Sequence, residues 1–226
     1  MKIVSPCFYP TTEPAAYLEK SCRRHKLDLL LYGMGQPFVA HGADAQVAKL
    51  IPVLKGLEDE YVVVTDCRDT LFLTGEEELM FEFRKYDSRL VMSTEKGCWP
   101  PNDEVLYLMP RTALGYDYIN AGQYIGERLY IMECLQHLLS TYRSKMGGLD
   151  NSQGWWPLAL IRGELDFKLD SKCRLFQTTS SGEGLVVRGD RIYVPTTGAH
   201  PCSVHFNGSQ DRTGYLKVAE KIYGKA

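Results

Sequence analysis

Tyr61-Val62-Val63-Val64-Thr65-Asp66-Cys67-Arg68-Asp69 is the stretch on which the fold turns. Residues 61–65 form a continuous, largely β-branched apolar run, the pattern of a strand buried on both faces at the centre of a mostly parallel sheet. The run stops directly at Asp66, and open α/β sheets place their ligand sites at the carboxyl ends of strands. Asp66 and Asp69 can project from the turn toward a common point. Two hard oxygen ligands suit Mg²⁺ or Mn²⁺, and such an ion can neutralise a diphosphate leaving group as its charge develops. The alternative is an ordinary solvated turn, where acidic residues are common.

Working outward, Lys2 to Ser5 reads as a first strand broken by Pro6 and Pro10, and Thr12 can cap a helix over about residues 14–24 with Pro14 in its first turn. Leu27 to Tyr32 is the next apolar run, so strand, helix and strand alternate as in an α/β fold. Val47, Leu50, Ile51, Leu54 and Leu57 predict a helix over 44–57, with a kink or break at Pro52. A helix over 76–86 buries Leu79, Met80 and Phe83, and a strand follows over 90–93. Residues 96–118 have little periodicity, as a binding element does. A short strand at 124–126 and an amphipathic helix over about 128–145 come next. After residue 165 short apolar or alternating segments predict a mixed or antiparallel part.

The chain has 226 residues, a formal net charge of −2 and 24% charged residues. That length suits one substantial core. That charge offers no general basic surface for nucleic acid, and Arg23, Arg24, His25 and Lys26 read as the solvated end of a helix, with a phosphate or partner contact as the other possibility. No stretch of ~18 apolar residues predicts a membrane span, and Met1 to Pro10 lacks a secretory apolar segment, so a soluble, cytoplasmic protein is expected. Seven scattered cysteines without a CxxC pair point to neither a disulfide framework nor a structural zinc site.

Other residues offer chemistry. His205 lies in a short apolar run, followed by the polar turn Asn207-Gly208; a neutral imidazole can complete the shell of Asp66 and Asp69, favouring Mn²⁺ over Mg²⁺, or can be a hydrogen-bonded core histidine. Asn120 can orient a sugar hydroxyl, and Gly122 allows close backbone approach. Lys49 can reach a phosphate from its helix or serve solubility. Asp150 and Gln153 precede Trp155 and Trp156; the group can form a sugar-binding edge, with one tryptophan left to the core, while Asp150 is equally a plausible helix cap.

Taken together, VVVTDCRD (62–69), VMSTEKGCWP (91–100), YINAGQYIG (118–126), DNSQ (150–153), CRLFQ (173–177) and VHFNGS (204–209) resemble, in order and spacing, the glycosyltransferase domain of the procollagen-lysine glycosyltransferase and lysyl hydroxylase enzymes. The resemblance implies a GT-A, Rossmann-like fold over one domain, residues 1–226, with a nucleotide-binding half of about 1–95 and an acceptor-side half of about 96–226. It implies a UDP-sugar donor, such as UDP-glucose or UDP-galactose, and Mn²⁺ held by Asp66, Asp69 and His205. Lys49 falls near the family's lysine before the diphosphate site, Glu95 and Asn120 line the donor or acceptor pocket, and Asn207 and Gly208 complete the donor site. Asn120, Asp150 and Gln153 would position hydroxyls for catalysis. The acceptor is expected to be a hydroxyl-bearing glycan, peptide or small molecule. Asn151 and Ser152 depart from the family's acid-rich run, and nothing resembling the iron-dependent hydroxylase domain is present. A stand-alone transferase from a microbe or virus fits best; a metal-dependent sugar-nucleotide pyrophosphorylase or hydrolase, or a non-catalytic carbohydrate-binding protein, are the alternatives.

Overall fold

The computed structural model describes residues 1–36, 43–143, 152–208 and 212–225. The chain runs through β1 (Lys2–Pro6), a 3₁₀ turn (Glu13–Ala15) into α1 (Ala16–Arg24), β2 (Asp28–Tyr32), α2 (Ala43–Lys55), β3 (Tyr61–Thr65), β4 (Thr70–Phe72), α3 (Glu76–Arg84) and β5 (Leu90–Glu95). It continues with α4 (Asp103–Leu108), β6 (Tyr118–Glu127), α5 (Arg128–Tyr142), α6 (Ser152–Ile161), β7 (Lys168–Leu169), β8 (Phe176–Thr178), β9 (Val186–Arg188), β10 (Arg191–Tyr193), β11 (Ser203–His205) and α7 (Thr213–Tyr223).

Six strands form the main sheet in the order β2-β1-β3-β6-β5-β7. β1 is parallel to β2 and β3, β7 is parallel to β5, and β6 alone runs the other way between β3 and β5. The alternation of β3 explains why its sequence is apolar throughout: Val62 and Val64 join Leu50, Leu54, Leu135 and Leu138 on one face. Val63 joins Ile3, Leu18, Leu79 and Phe83 on the other. Each face is therefore closed by helices, as a parallel sheet requires. After β1 the chain goes to one neighbour, β2, and then returns to the opposite neighbour, β3. That change of direction opens a crevice at the carboxyl ends of β1 and β3, where Pro6 and Asp66 stand.

β6 departs from the short strand expected at 124–126. It is ten residues long and carries an irregularity: Met92 pairs with Tyr124, but the next residue, Ser93, pairs with Asn120. Ala121, Gly122 and Gln123 are thus left out of the pairing with β5, while Gln123 still opposes Thr65 of β3 and Gly122 O accepts the Asp66 amide (2.9 Å). Such a bulge re-aims the strand at a sheet edge or active site.

The second sheet, β4-β11-β8, sits against the end of the first. β11 is antiparallel to β4, with His205 opposite Thr70, and parallel to β8, with His205 opposite Thr178. The buried Gln123 side chain ties the sheets, donating from Nε2 to Thr65 Oγ1 (3.2 Å) and Ser203 Oγ (2.8 Å). α7 covers this sheet through Tyr215, Ala219 and Ile222, which pack with Leu71, Val204 and Phe206. β9 and β10 form a separate hairpin.

Local expectations fail where chemistry is subtle. Thr12 makes no side-chain cap bond; its carbonyl accepts the Ala15 amide, and Pro14 lies in a 3₁₀ turn that precedes the helix. Pro52 does not break α2, which runs on to Lys55. Residues 96–118 contain α4, capped by Asn102 Oδ1 accepting from the Val105 amide (3.1 Å). Its six residues are too few to reveal a helical period. Trp155 and Trp156 are both core residues, 0% and 1% exposed, so neither forms a sugar-binding edge. α6 is buried on several sides and draws both rings inward. Asp150 lies outside the described residues. Among the described residues no helix is long and apolar enough to cross a membrane.

Asp170 joins the sheets below the site. Its buried carboxylate accepts hydrogen bonds from Tyr86 Oη and from the amides of Arg174, Leu175 and Phe176, at 3.0, 2.8 and 2.7 Å for the amides, and so fixes the entry to β8. Replacing Asp170 by Ala strands these donors in the interior and is expected to cost about 3 kcal/mol of unfolding free energy, measured by chemical denaturation against wild type.

Candidate metal centre and adjoining cleft

Three ligand atoms, one each from Asp66, Asp69 and His205, lie within 4.8 Å of one another. Asp66 and Asp69 bracket the turn between β3 and β4, whose short span holds both carboxylates at the crevice end of the sheet. His205 arrives from the far end of the sequence because β11 pairs with β4, and the Phe206 amide donates to Asp69 O (2.9 Å). His205 Nε2 stands 3.4 Å from Asp66 Oδ2 and 3.3 Å from Asp69 Oδ1. On its other side Nδ1 lies 3.1 Å from Asn120 Oδ1. A ring that donates from Nδ1 to Asn120 presents the Nε2 lone pair to the carboxylates, the tautomer a metal ligand needs.

The donor set fits a divalent cation. Asp69 Oδ1 is buried and has no hydrogen-bond partner, a costly state for a carboxylate oxygen unless an ion or proton meets it. Asp66 is half exposed, which leaves the cluster open on one side. Burial alone would lower the His205 pKa, but the carboxylates of Asp69 and Asp66 outweigh it and push the value up to about 10. The imidazolium therefore substitutes for an ion in the metal-free protein.

Gly122 makes the cluster possible. A β-carbon at this position would lie 2.2 Å from His205 Cε1, 2.8 Å from His205 Nδ1 and 2.9 Å from Asp66 Oδ2. The bulge in β6 thus delivers a backbone, rather than a side chain, to the back of the site. Gly122 N–H donates to Asn120 Oδ1 (3.0 Å), so the oxygen that orients His205 is itself fixed.

A cleft of about 680 Å³ opens from the cluster, lined by Glu95, Trp99, Asn120, Gln153 and Asn207 together with the three ligands, Gly122, Ser180 and Gly208. Glu95 stands at its centre. Gln153 Nε2 donates to Glu95 Oε1 (2.5 Å) and Asn207 Nδ2 to Oε2 (2.6 Å), and the Asn120 side chain bonds to it as well. Burial raises the Glu95 carboxyl above its ordinary value, against the amide hydrogen bonds that favour its charged form. Gln153 is fixed in turn, accepting from the Ala121 amide (3.2 Å) and donating to Trp99 O (3.0 Å).

The structure therefore brings Asp66, Asp69, His205, Glu95, Asn120, Gln153, Asn207 and Gly208 into one cleft. Lys49 is not on its wall; its ammonium lies over the Phe8 ring, 4.6 Å from the centroid. Phe8 lines a smaller hollow of about 220 Å³ with Pro6, Tyr9 and residues 66–69, on the β1 side of the acidic turn. Sequence reasoning missed two contributors. Trp99, exposed at 58%, is the tryptophan that faces the cleft, signalled only by its place in a proline- and glycine-rich segment. Gln123 was a polar residue in an apolar run, an anomaly that a hydrogen bond between sheets explains.

Residues 10–213 match the family described as the PLOD GT domain. An uncharacterized protein, R699, of Acanthamoeba polyphaga mimivirus is 28% identical over 207 residues, which cover 87% of this chain and 44% of that protein. Human procollagen-lysine,2-oxoglutarate 5-dioxygenase 2 is 27% identical over 58% of this chain and 17% of its own length. The human multifunctional procollagen lysine hydroxylase and glycosyltransferase LH3 is 26% identical over 67% of this chain and 21% of its own. The chain thus spans less than half the length of these relatives. A glycosyltransferase involved in the glycosylation of the major capsid of PBCV-1 shares the fold, with a TM-score of 0.60 at 12% identity over 97% of this chain and 96% of that one.

Two outcomes follow from this geometry. Gly122→Ala places a methyl group on the imidazole and is expected to weaken divalent-cation binding at least tenfold, measured by calorimetric titration of Mn²⁺. Because a bound ion must displace the His205 proton, cation affinity is expected to rise with pH, approaching tenfold per unit between about pH 7 and the imidazole's pKa of about 10. Titrations in two buffers of different ionisation enthalpy count the proton released.

Proposed function

The chain belongs to the PLOD GT domain family, and we propose that it transfers a sugar from a UDP-sugar to an acceptor hydroxyl, with Mn²⁺ held by Asp66, Asp69 and His205. The observation that carries this reading is the cluster of two carboxylates and one oriented imidazole at the carboxyl ends of the sheet, beside a cleft wide enough for a sugar. A nitrogen ligand beside two oxygens favours Mn²⁺ over Mg²⁺. The bound ion would supply positive charge that stabilises the diphosphate as it leaves.

The protein's own residues do the rest. The hollow lined by Phe8 and Tyr9 offers aromatic surface for the nucleoside at the switch point of the sheet. Lys49, beside it over Phe8, adds positive charge on the diphosphate side. Gln153 and Asn207 hold the Glu95 carboxylate from opposite oxygens, so it faces the cleft in one orientation. Its raised pKa suits it to accept a hydrogen bond or a proton from a substrate hydroxyl. Trp99 supplies an exposed ring against which a sugar face can pack. Asn120, on the wall of the same cleft, also orients His205. Asp150 remains a proposed sugar contact from its place in the sequence alone.

A microbial or viral cytoplasm suits the protein: the mimivirus protein is among its relatives, and all seven cysteines are free thiols.

UDP is expected to bind in the presence of Mn²⁺ and at least tenfold more weakly without it, and Asp69→Ala removes the difference, as read by isothermal titration. UDP binding that ignores both the ion and the substitution would refute the donor site. Glu95→Gln retains metal-dependent UDP binding but lowers the transfer rate by about 10²-fold or more, measured as acceptor-dependent UDP release.

A further inference from the structure

Beyond Glu95 and Asn207 the cleft continues into a second hollow of about 400 Å³ that the donor site leaves unused. The two spaces share Glu95, Ser180 and Asn207 as a common wall. The aromatic hollow instead shares Asp66 and Asp69 with the main cleft. These shared walls fix an order: the aromatic hollow, the acidic turn, the main cleft, then the second hollow. With a nucleotide at the switch-point end, the second hollow lies at the opposite, acceptor end.

Its lining is dense in neutral hydroxyl and amide groups, among them Tyr116, Gln177, Ser180, Ser181 and Thr196. Gln177 is buried and donates from Nε2 to Tyr116 Oη (2.8 Å) and Thr178 O (2.7 Å), while its Oε1 has no partner. The Tyr116 hydroxyl also meets the Thr196 side chain. The formal charges, Lys96 on one side and Glu95 and Glu183 on the other, are of mixed sign. The Lys96 ammonium lies over the Tyr116 ring, 5.2 Å from its centroid. Such a wall lacks the concentrated positive charge that holds a phosphate, and its aliphatic side chains, Leu185 and Val194, are too few to floor a lipid site and suit instead the apolar face of a sugar ring. Groups that both donate and accept match the hydroxyls of a sugar.

Resting on the transferase reading, we propose that this hollow is an acceptor subsite for a second sugar, so that the enzyme extends an existing oligosaccharide. The sugar that carries the reacting hydroxyl occupies the main cleft beside Trp99 and Glu95. Its neighbour in the glycan occupies the hollow of Tyr116 and Gln177. A monosaccharide leaves that hollow unfilled and binds more weakly.

An array of defined mono-, di- and trisaccharides, probed with the labelled full chain in UDP and Mn²⁺, tests this. Retention on a subset of the longer glycans, at least tenfold above the matching monosaccharides, is the expected result. Thr196→Trp, which fills the hollow from an exposed position, is expected to abolish that preference. Gln177→Leu should do the same, and a melting temperature for each variant reports whether the fold is intact. Equal retention of monosaccharides and longer glycans overturns the proposal, as does an unchanged preference in well-folded Thr196→Trp or no retention on any glycan. Titration of wild type with UDP and Mn²⁺ separates the two levels. If UDP binds and the array result is negative, the subsite alone falls; if UDP fails to bind, the donor reading falls with it.

Discussion

The backbone of residue 122 passes so close to the His205 ring that any β-carbon there would overlap it, at 2.2 Å from Cε1. The whole cluster of Asp66, Asp69 and His205 depends on this approach. The three-residue bulge in β6 carries Gly122 out of its pairing with β5, yet leaves its carbonyl on the Asp66 amide. Gln123, also out of the pairing with β5 but still opposite Thr65, reaches the junction of the two sheets, where it bonds Thr65 and Ser203. These bonds add to the strand pairing that already holds β11 against β4 and β8.

Electrostatics then decide what the site must hold. Asp66 and Asp69 share a small space, and one oxygen of Asp69 is buried without a hydrogen bond, facing His205 Nε2 at 3.3 Å. Bringing carboxylates together in a partly desolvated pocket is unfavourable unless positive charge meets them. The buried His205 supplies that charge as imidazolium in the metal-free protein, at the cost of its capacity to ligate. A metal ion would therefore compete with the proton for one position, and the hydrogen bond to Asn120 keeps the ring turned correctly for either.

Glu95 shows a second use of burial. Amide donors from three parts of the chain, Asn120 on β6, Gln153 on α6 and Asn207 after β11, converge on one carboxylate. These neutral donors hold the group in place, while burial, outweighing their hydrogen bonds, raises its affinity for a proton. The result is a rigid acceptor at the border of two hollows, joined to the metal ligands through Asn120. Fixing polar groups before the substrate arrives is what allows them to act on it without reorganisation.

The sequence by itself determined the buried central strand and the acidic turn at its end. Unbroken β-branched character in β3 requires cover on both faces, and an acidic turn at its end lies at the crevice of any such sheet. His205, Glu95 and Asn207 were legible through the order of short motifs, because those side chains leave a signature even when separated by a hundred residues. Only the tertiary structure decided which tryptophan meets the cleft. Trp155 and Trp156 look like Trp99 as residue types, and their burial depends on what packs against α6. It also decided the part played by Asn120 and Gln123, since hydrogen bonds across sheets leave no periodicity in the chain. The length of β6, the bulge within it and the missing β-carbon at Gly122 belong to the same class: they are set by how strands distant in sequence approach in space.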